Sequence, residues 1–195
     1  PPRSTLFPYT TLFRSKALKE YRSDVNIFTK GGNIVSNPTR HDISYHHLMA
    51  SIDRSLNRLQ TDYVDLFQVH VPPKTEKEFA DVEKAFDDIK SEGKARYCGI
   101  SVGIRYEQGK EIIKRKLADS IQIYFSLIDQ KPLKELLPLA KKNNIGVIIA
   151  EPLAQGLLTN KYKIGHTFPK NDLRSSSYSK QLLEKKLKQI GRAHV

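Results

Sequence analysis

The ten residues Thr61-Asp-Tyr-Val-Asp-Leu-Phe-Gln-Val-His70 decide how this chain folds. Residues 63–69 are a short, β-rich apolar run interrupted by Asp65 and Gln68, and the run stops at a histidine. Ahead of it Leu48, Ile52, Leu56 and Leu59 recur at helical spacing, which predicts a helix over 44–60 with those four on its buried stripe and Ser44 as its N-cap. Behind it Val71-Pro72-Pro73 makes a turn. A histidine at the carboxyl end of a strand, in a strand–helix alternation, sits where α/β barrels gather their reacting groups. The strand holds the imidazole rigidly and the following loop leaves it open.

The same alternation extends in both directions. Residues 25–30 (VNIFTK) read as a strand stopped by Gly31-Gly32, and a polar loop with Pro38 leads on to the first helix. A helix over 76–92 ends at Gly93, and a strand follows over 95–101. Then come a helix over 106–116, a strand over 121–128, and a helix over 132–143 with Pro132 in its first turn. A strand over 146–151, a long loop and a last helical stretch from about Ser179 complete the chain. Five strands each followed by a helix, with no obvious hairpin, imply parallel pairing through right-handed crossovers. A doubly wound sheet would carry a glycine-rich phosphate turn after its opening strand; Gly31-Gly32-Asn33 is not one, and no P-loop occurs. The expected class is α/β: part of a (β/α)8 TIM barrel, about five parallel βα units of the eight.

Both ends are set apart from this pattern. Residues 1–15 (PPRSTLFPYTTLFRS) match, residue for residue, one reading frame of a common sequencing-library adapter, and residues 190–195 (IGRAHV) match the opposite adapter. They are read as processing scars, which leaves 16–189 as the biological segment. Without Arg3, Arg14 and Arg192, and with no acid lost, the net charge falls from +12 to +9. That segment is long enough for one domain with a real core, and no apolar run approaches the roughly eighteen residues of a membrane span. Cys98 is the single cysteine, so no internal disulfide forms; a reducing, cytoplasmic setting is expected, with Cys98 as a core residue. The lysines are scattered over helix faces among acids such as Glu83, Asp87, Glu111 and Glu184, without a basic stripe, so neither nucleic acid nor membrane is an expected partner.

Residues at strand ends carry the chemistry. Lys30 and His70 end neighbouring strands, where both can reach one substrate group, and Ser101 and Glu151 close two further strands. Gln122 falls at the start of its strand, away from that ring. Lys30 can equally be a lysine whose stem lies along the barrel, and His70 a hydrogen-bonded cap.

At these residues the sequence resembles the aldo-keto reductase family. SLNRLQTDYVDLFQVH (55–70) resembles its helix-plus-strand block ending in the catalytic histidine, and FTKGG (28–32) its lysine-bearing strand. SEGKARYCGIS (91–101), IQIYFSLID and AEPLAQGLLTNKY are similar to its next three strands and their cofactor loops. The resemblance runs in order from 16 to about 174, and it implies strands three to seven of eight.

Carried over, the resemblance implies that His70 polarises and orients a substrate carbonyl and that Lys30 lowers the pKa of a tyrosine acid. It implies that Ser101 and Gln122 hydrogen-bond a nicotinamide carboxamide, that Glu151 stands where a stacking ring is common, and that Pro152, Leu153, Ala154, Gln155 and Gly156 lie beside the pyrophosphate. NADP(H) or NAD(H) would be the cofactor and a small carbonyl compound the substrate. Three departures accompany this. Val102 replaces an asparagine that often follows the serine, Glu151 is not aromatic, and the family's catalytic tyrosine and aspartate are not met before the adapter match begins. Tyr9 lies inside that match and is not a candidate for the tyrosine.

The parent protein is therefore expected to be an NAD(P)H-dependent reductase of aldehydes or ketones. The alternative is a nucleotide-binding regulatory subunit of the same fold. The chain alone, with open sheet edges, is expected to be insoluble or molten and inactive. His41, His46 and His47 suggest a metal only superficially, since no cysteine or carboxylate stands at ligand spacing; no metal is expected. The loop 153–178 is longer than ordinary connections, as lids and flexible segments are.

Overall fold

The computed structural model describes residues 21–34 and 40–192. In chain order the elements are β1 (Phe28–Gly31), β2 (Asn33–Ile34), β3 (Arg40–His41), α1 (Tyr45–Leu59), β4 (Val64–Val69), α2 (Glu76–Ser91), β5 (Ala95–Gly103), α3 (Tyr106–Lys114), β6 (Ser120–Tyr124), α4 (Leu136–Lys142), β7 (Gly146–Ala150), α5 (Arg174–Ser177) and α6 (Lys180–Arg192). Residues 1–15, with Tyr9 among them, lie outside the described residues, while Ile190 to Arg192 close α6.

Five strands pair in parallel in the order β1-β4-β5-β6-β7. Each strand lies beside the one before it along the chain, always on the same side. A doubly wound sheet reverses that order at a switch point, and no reversal occurs here. The arrangement is a wall of a barrel.

Alternation along the strands separates two faces. Phe67, Cys98, Ile100, Val102, Ile121 and Ile123 are fully buried under the helices, where they meet Leu48 and Ile52 of α1, Val82 and Ile89 of α2, and Ile112 and Ile113 of α3. Full burial of such side chains contributes about 1.5–3 kcal/mol each. The opposite face is concave and partly bare: Phe28 is 55% exposed and Tyr97 60%. β1 and β7 end the sheet, each with one side unpaired among the described residues.

Local chemistry fixes the ends of the elements. Thr75 accepts a hydrogen bond from the Glu78 amide (3.2 Å) while the Glu78 carboxylate accepts from the Thr75 amide (3.1 Å), a reciprocal cap that starts α2 shortly after His70. At the amino end of β4, Asp65 is buried; it accepts from the Ile27 amide (2.8 Å) and pairs with Arg22 and Arg96, both at 3.0 Å. That carboxylate ties the approach to β1 onto β4 and β5.

Before and between the helices the structure departs from the sequence reading. A short antiparallel strand pair, β2 with β3, stands within the stretch read as a plain polar loop. β6 ends at Tyr124 rather than at 128, because Ser126 and Asp129 bond to each other across a tight turn. The helix expected over 132–143 is broken into a 3-10 turn, Lys131–Leu133, and α4. Pro138 has no amide hydrogen, and its ring would strike the carbonyl four residues back in a continuous helix, so it is tolerated only in the first turn of a new one. Among the described residues no helix is long and apolar enough to cross a membrane.

Cys98 lies in the middle of this core, and burial pushes its thiol up to about 12. In the folded protein it should stay unreactive toward Ellman's reagent at pH 8 and react at the rate of a free thiol once denaturant is added. Rapid labelling without denaturant would contradict the burial.

Candidate active site

The parallel register aligns the concave face in rungs. Lys30 pairs with Gln68, Gln68 with Gly99, Gly99 with Ser120 and Ser120 with Gly146. The next rung holds Ser101 against Gln122 and Gln122 against Ile148. His70 continues the alternation of Gln68 one step beyond the Val69–Ile100 pair, which brings it level with Ser101. Lys30, His70, Ser101 and Gln122 therefore share one face on four adjacent strands. Gln122 is mid-strand and in register with Ser101, not at a strand start. β6 begins one residue earlier than its apolar run, and that shift places the glutamine inside the ring.

Polar atoms on this face lack protein partners. Gln68 Nε2, Ser120 Oγ and Gln122 Oε1 are buried without a hydrogen bond. Gln68 and Ser120 close over Gly99, where an added Cβ would collide with Ser120 Oγ and lie 3.4 Å from Gln68 Cγ. An unpaired buried polar group costs about 1–3 kcal/mol, and these atoms are available to a polar occupant. An amide acceptor on Gln122 level with the Ser101 hydroxyl suits a primary carboxamide, which brings N–H donors and a carbonyl acceptor of its own.

His70 is held from behind. Its backbone amide donates to the Gly31 carbonyl (3.0 Å), fastening the end of β4 to β1. Its Nδ1 lies 2.7 Å from Asn33 Nδ2, and Asn33 Oδ1 lies 2.7 Å from His41 Nδ1. Gly32, at φ +94°, turns the chain between β1 and β2 and aims Asn33 back at the histidine; a Cβ there would also press Ile43 Cγ2 at 3.0 Å. Burial, then the Lys30 ammonium and then His41, hold the His70 pKa below the usual histidine value. Burial likewise lowers the pKa of Lys30. Asn33 and His41 were not singled out as site residues from the sequence. The available signal was an asparagine directly after a Gly-Gly turn at the end of the lysine strand.

Beyond β7 the backbone is strained. Glu151 (φ 60°), Ala154 (φ 49°) and Gln155 (φ 56°) are non-glycine residues in the left-handed region, followed by Gly156 at φ 93°. Such conformations cluster where ligands are held. Gln155 Nε2 donates to Glu151 Oε1 (2.8 Å), and Gln155 Oε1 is buried without a partner. Arg174 Nη1 donates to the Gln155 carbonyl (3.2 Å) and to Tyr162 Oη (2.6 Å), while Arg174 pairs with Asp172 at 2.6 Å. Glu151, Gln155, Asp172, Arg174 and Ser177 line a groove of about 720 Å³. Pro152 and Leu153 are exposed beside it, and Ala154 is buried with Leu157, Tyr162 and Leu183 in a second apolar cluster. The loop read as a lid or flexible segment is thus partly structured.

Of the three histidines weighed for metal, His41 bonds Asn33, His47 Nδ1 lies 3.7 Å from Asp42, and the His46 ring packs on Tyr45. Among the described residues no group of three potential ligands converges. Val102 is fully buried, its Cγ1 facing the α-carbon of Gly109 in α3 as part of the helix-side core. It therefore offers nothing to the concave face.

Comparison with known proteins agrees with this fold. The Aldo/keto reductase family profile matches residues 12–194. An oxidoreductase of Bacillus subtilis (strain 168) is 38% identical over 148 residues, covering 74% of this chain and 47% of that protein. The L-galactose dehydrogenase of Arabidopsis thaliana is 34% identical over 157 residues, covering 75% of this chain and 46% of the relative. The chain thus spans about half the length of these relatives. An aldo-keto reductase from Bacillus halodurans, solved in its holo form, superposes with a TM-score of 0.73 at 34% identity, over 84% of this chain and 55% of that one. With a profile match across nearly all of its length, the chain belongs to the aldo/keto reductase family.

Proposed function

We propose that the parent protein reduces aldehydes or ketones to alcohols with NADP(H) or NAD(H), and that residues 16–189 form one wall of its barrel between adapter-derived ends. One observation carries this reading: Lys30, His70, Ser101 and Gln122 face the same concavity, on four adjacent strands, at the end where the loops open. Its relatives bear the names of an oxidoreductase and an L-galactose dehydrogenase, which supports redox chemistry on a carbonyl–alcohol pair.

Ser101 and Gln122 would hold the nicotinamide carboxamide; the orphaned Gln122 Oε1 is an acceptor waiting for an N–H of that kind. Glu151, Pro152, Leu153, Ala154, Gln155 and Gly156 would line the path of the cofactor phosphates, beside the groove that Arg174 borders. The bound nicotinamide supplies the hydride. His70 then has one task, to donate from Nε2–H to the carbonyl oxygen and fix its direction. Its depressed pKa suits it to do so as a neutral imidazole at neutral pH. Lys30 places a positive charge beside the oxygen, where it would also acidify a tyrosine proton donor.

In the full-length protein, His70→Ala should lower carbonyl turnover by about 10²–10⁴-fold while NADPH titration gives a nearly unchanged dissociation constant; parallel losses in both would contradict the role given to His70. Lys30→Met removes a cation that disfavours the imidazolium, so the His70 midpoint in an NMR titration should rise toward the ordinary histidine value. A midpoint that stays put or falls would show that Lys30 does not act on His70.

A further inference from the structure

We infer that Asn33 is a positioning residue that fixes the tautomer of His70, with His41 bonded to the other end of its amide. The inference rests on the carbonyl-reductase reading above, since it concerns how His70 performs that role.

The geometry is a chain of three side chains. Asn33 Nδ2 can only donate, so at 2.7 Å it requires an unprotonated Nδ1 on His70. The single proton of the neutral ring must then sit on Nε2, the nitrogen turned away from Asn33. Asn33 Oδ1 can only accept, so at 2.7 Å it requires an N–H on His41 Nδ1. While His41 carries its proton on Nδ1, the amide keeps Nδ2 toward His70. A reversed amide would put an acceptor against His70 Nδ1, draw the proton there and leave Nε2 unable to donate.

The backbone supports this arrangement at each step. Asn33 and His41 are register partners in the β2–β3 pair, so their side chains emerge side by side. Gly32 turns the pair onto β1, and the Asp42 amide closes that turn on the Gly32 carbonyl at 3.0 Å. The His70 amide bonded to Gly31 sets the distance from the other side. The charged and titratable groups acting on His70 are Lys30 and His41, and both disfavour its protonated form. The ring therefore works neutral, and a neutral ring has only one N–H to place.

Asn33→Asp separates this role from simple support. A carboxylate cannot donate to Nδ1; it draws a proton onto it. At acidic pH the ring is an imidazolium and still carries Nε2–H. At higher pH the remaining proton stays on Nδ1, and donation from Nε2 is lost. In the full-length enzyme, kcat/KM of Asn33→Asp for a carbonyl substrate, divided by that of the unmodified enzyme, should fall about tenfold or more between pH 6 and pH 8.5. In the unmodified protein, nitrogen-15 shifts of His70 should show Nδ1 bare and Nε2 protonated, a measurement that does not depend on the variant folding. A ratio independent of pH, or a His70 protonated on Nδ1 in the unmodified protein, would overturn the assignment of Asn33. His70→Ala serves as the control: if it leaves carbonyl turnover intact, the reductase role of His70 fails with it; if it abolishes turnover while the Asn33→Asp ratio stays flat, the assignment of Asn33 alone fails.

Discussion

Everything at the candidate site depends on the parallel register of β1, β4, β5 and β6. Side chains alternate along a strand with a period of two, so a slip of one residue turns every concave residue into the helix layer. In the observed register Phe67, Ile100 and Ile121 fill the helix-side core while Gln68, Ser101 and Gln122 face the concavity. The slipped register would bury those amides and the hydroxyl among leucines and isoleucines and expose the core to water. The hydrophobic core is thus what aligns the polar face. A bulge between Ser101 and Gly103 lets Val102 stay in the core while the end of β5 re-aims.

The two ends of the wall differ in how well their polar groups are satisfied. At the amino end Asp65 is buried but fully met by two arginines and an amide, and Tyr63 lies between the same two guanidiniums at 3.9 and 4.7 Å from its ring centre. That end braces the strands. On the concave face and toward the carboxyl end, Gln68, Ser120, Gln122 and Gln155 carry unpaired buried atoms, and the loop after β7 holds four non-glycine residues at positive φ. Strain and unsatisfied polarity are costs that a fold concentrates where a ligand will offset them.

Sequence reading reached the fold class because its evidence was periodic. The stripe Leu48, Ile52, Leu56 and Leu59, the apolar runs of the strands and the Gly and Pro punctuation are local signals, and they map onto α1 and the parallel strands. Element ends were less legible. Whether 132–143 is one helix depends on where Pro138 falls relative to a start that apolar spacing does not mark, and β6 ends through a turn that a run of isoleucine, tyrosine and phenylalanine does not reveal. The strand-end pattern singled out Lys30 and His70. Gln122 was set apart because its level depends on β5–β6 pairing, which is a property of two strands and not of one.

Asn33 and His41 were illegible for a related reason. A two-residue strand has no periodicity, and polar residues flanking Pro38 resemble any surface loop. Their significance comes from one glycine at φ +94° and from a hydrogen bond spanning 37 positions of sequence. Hydrophobic pattern finds residues that must be buried; it is blind to a polar residue whose only constraint is direction. Strand-end residues are legible in a sequence, then, while the groups that orient them emerge only once the turns have been given their geometry.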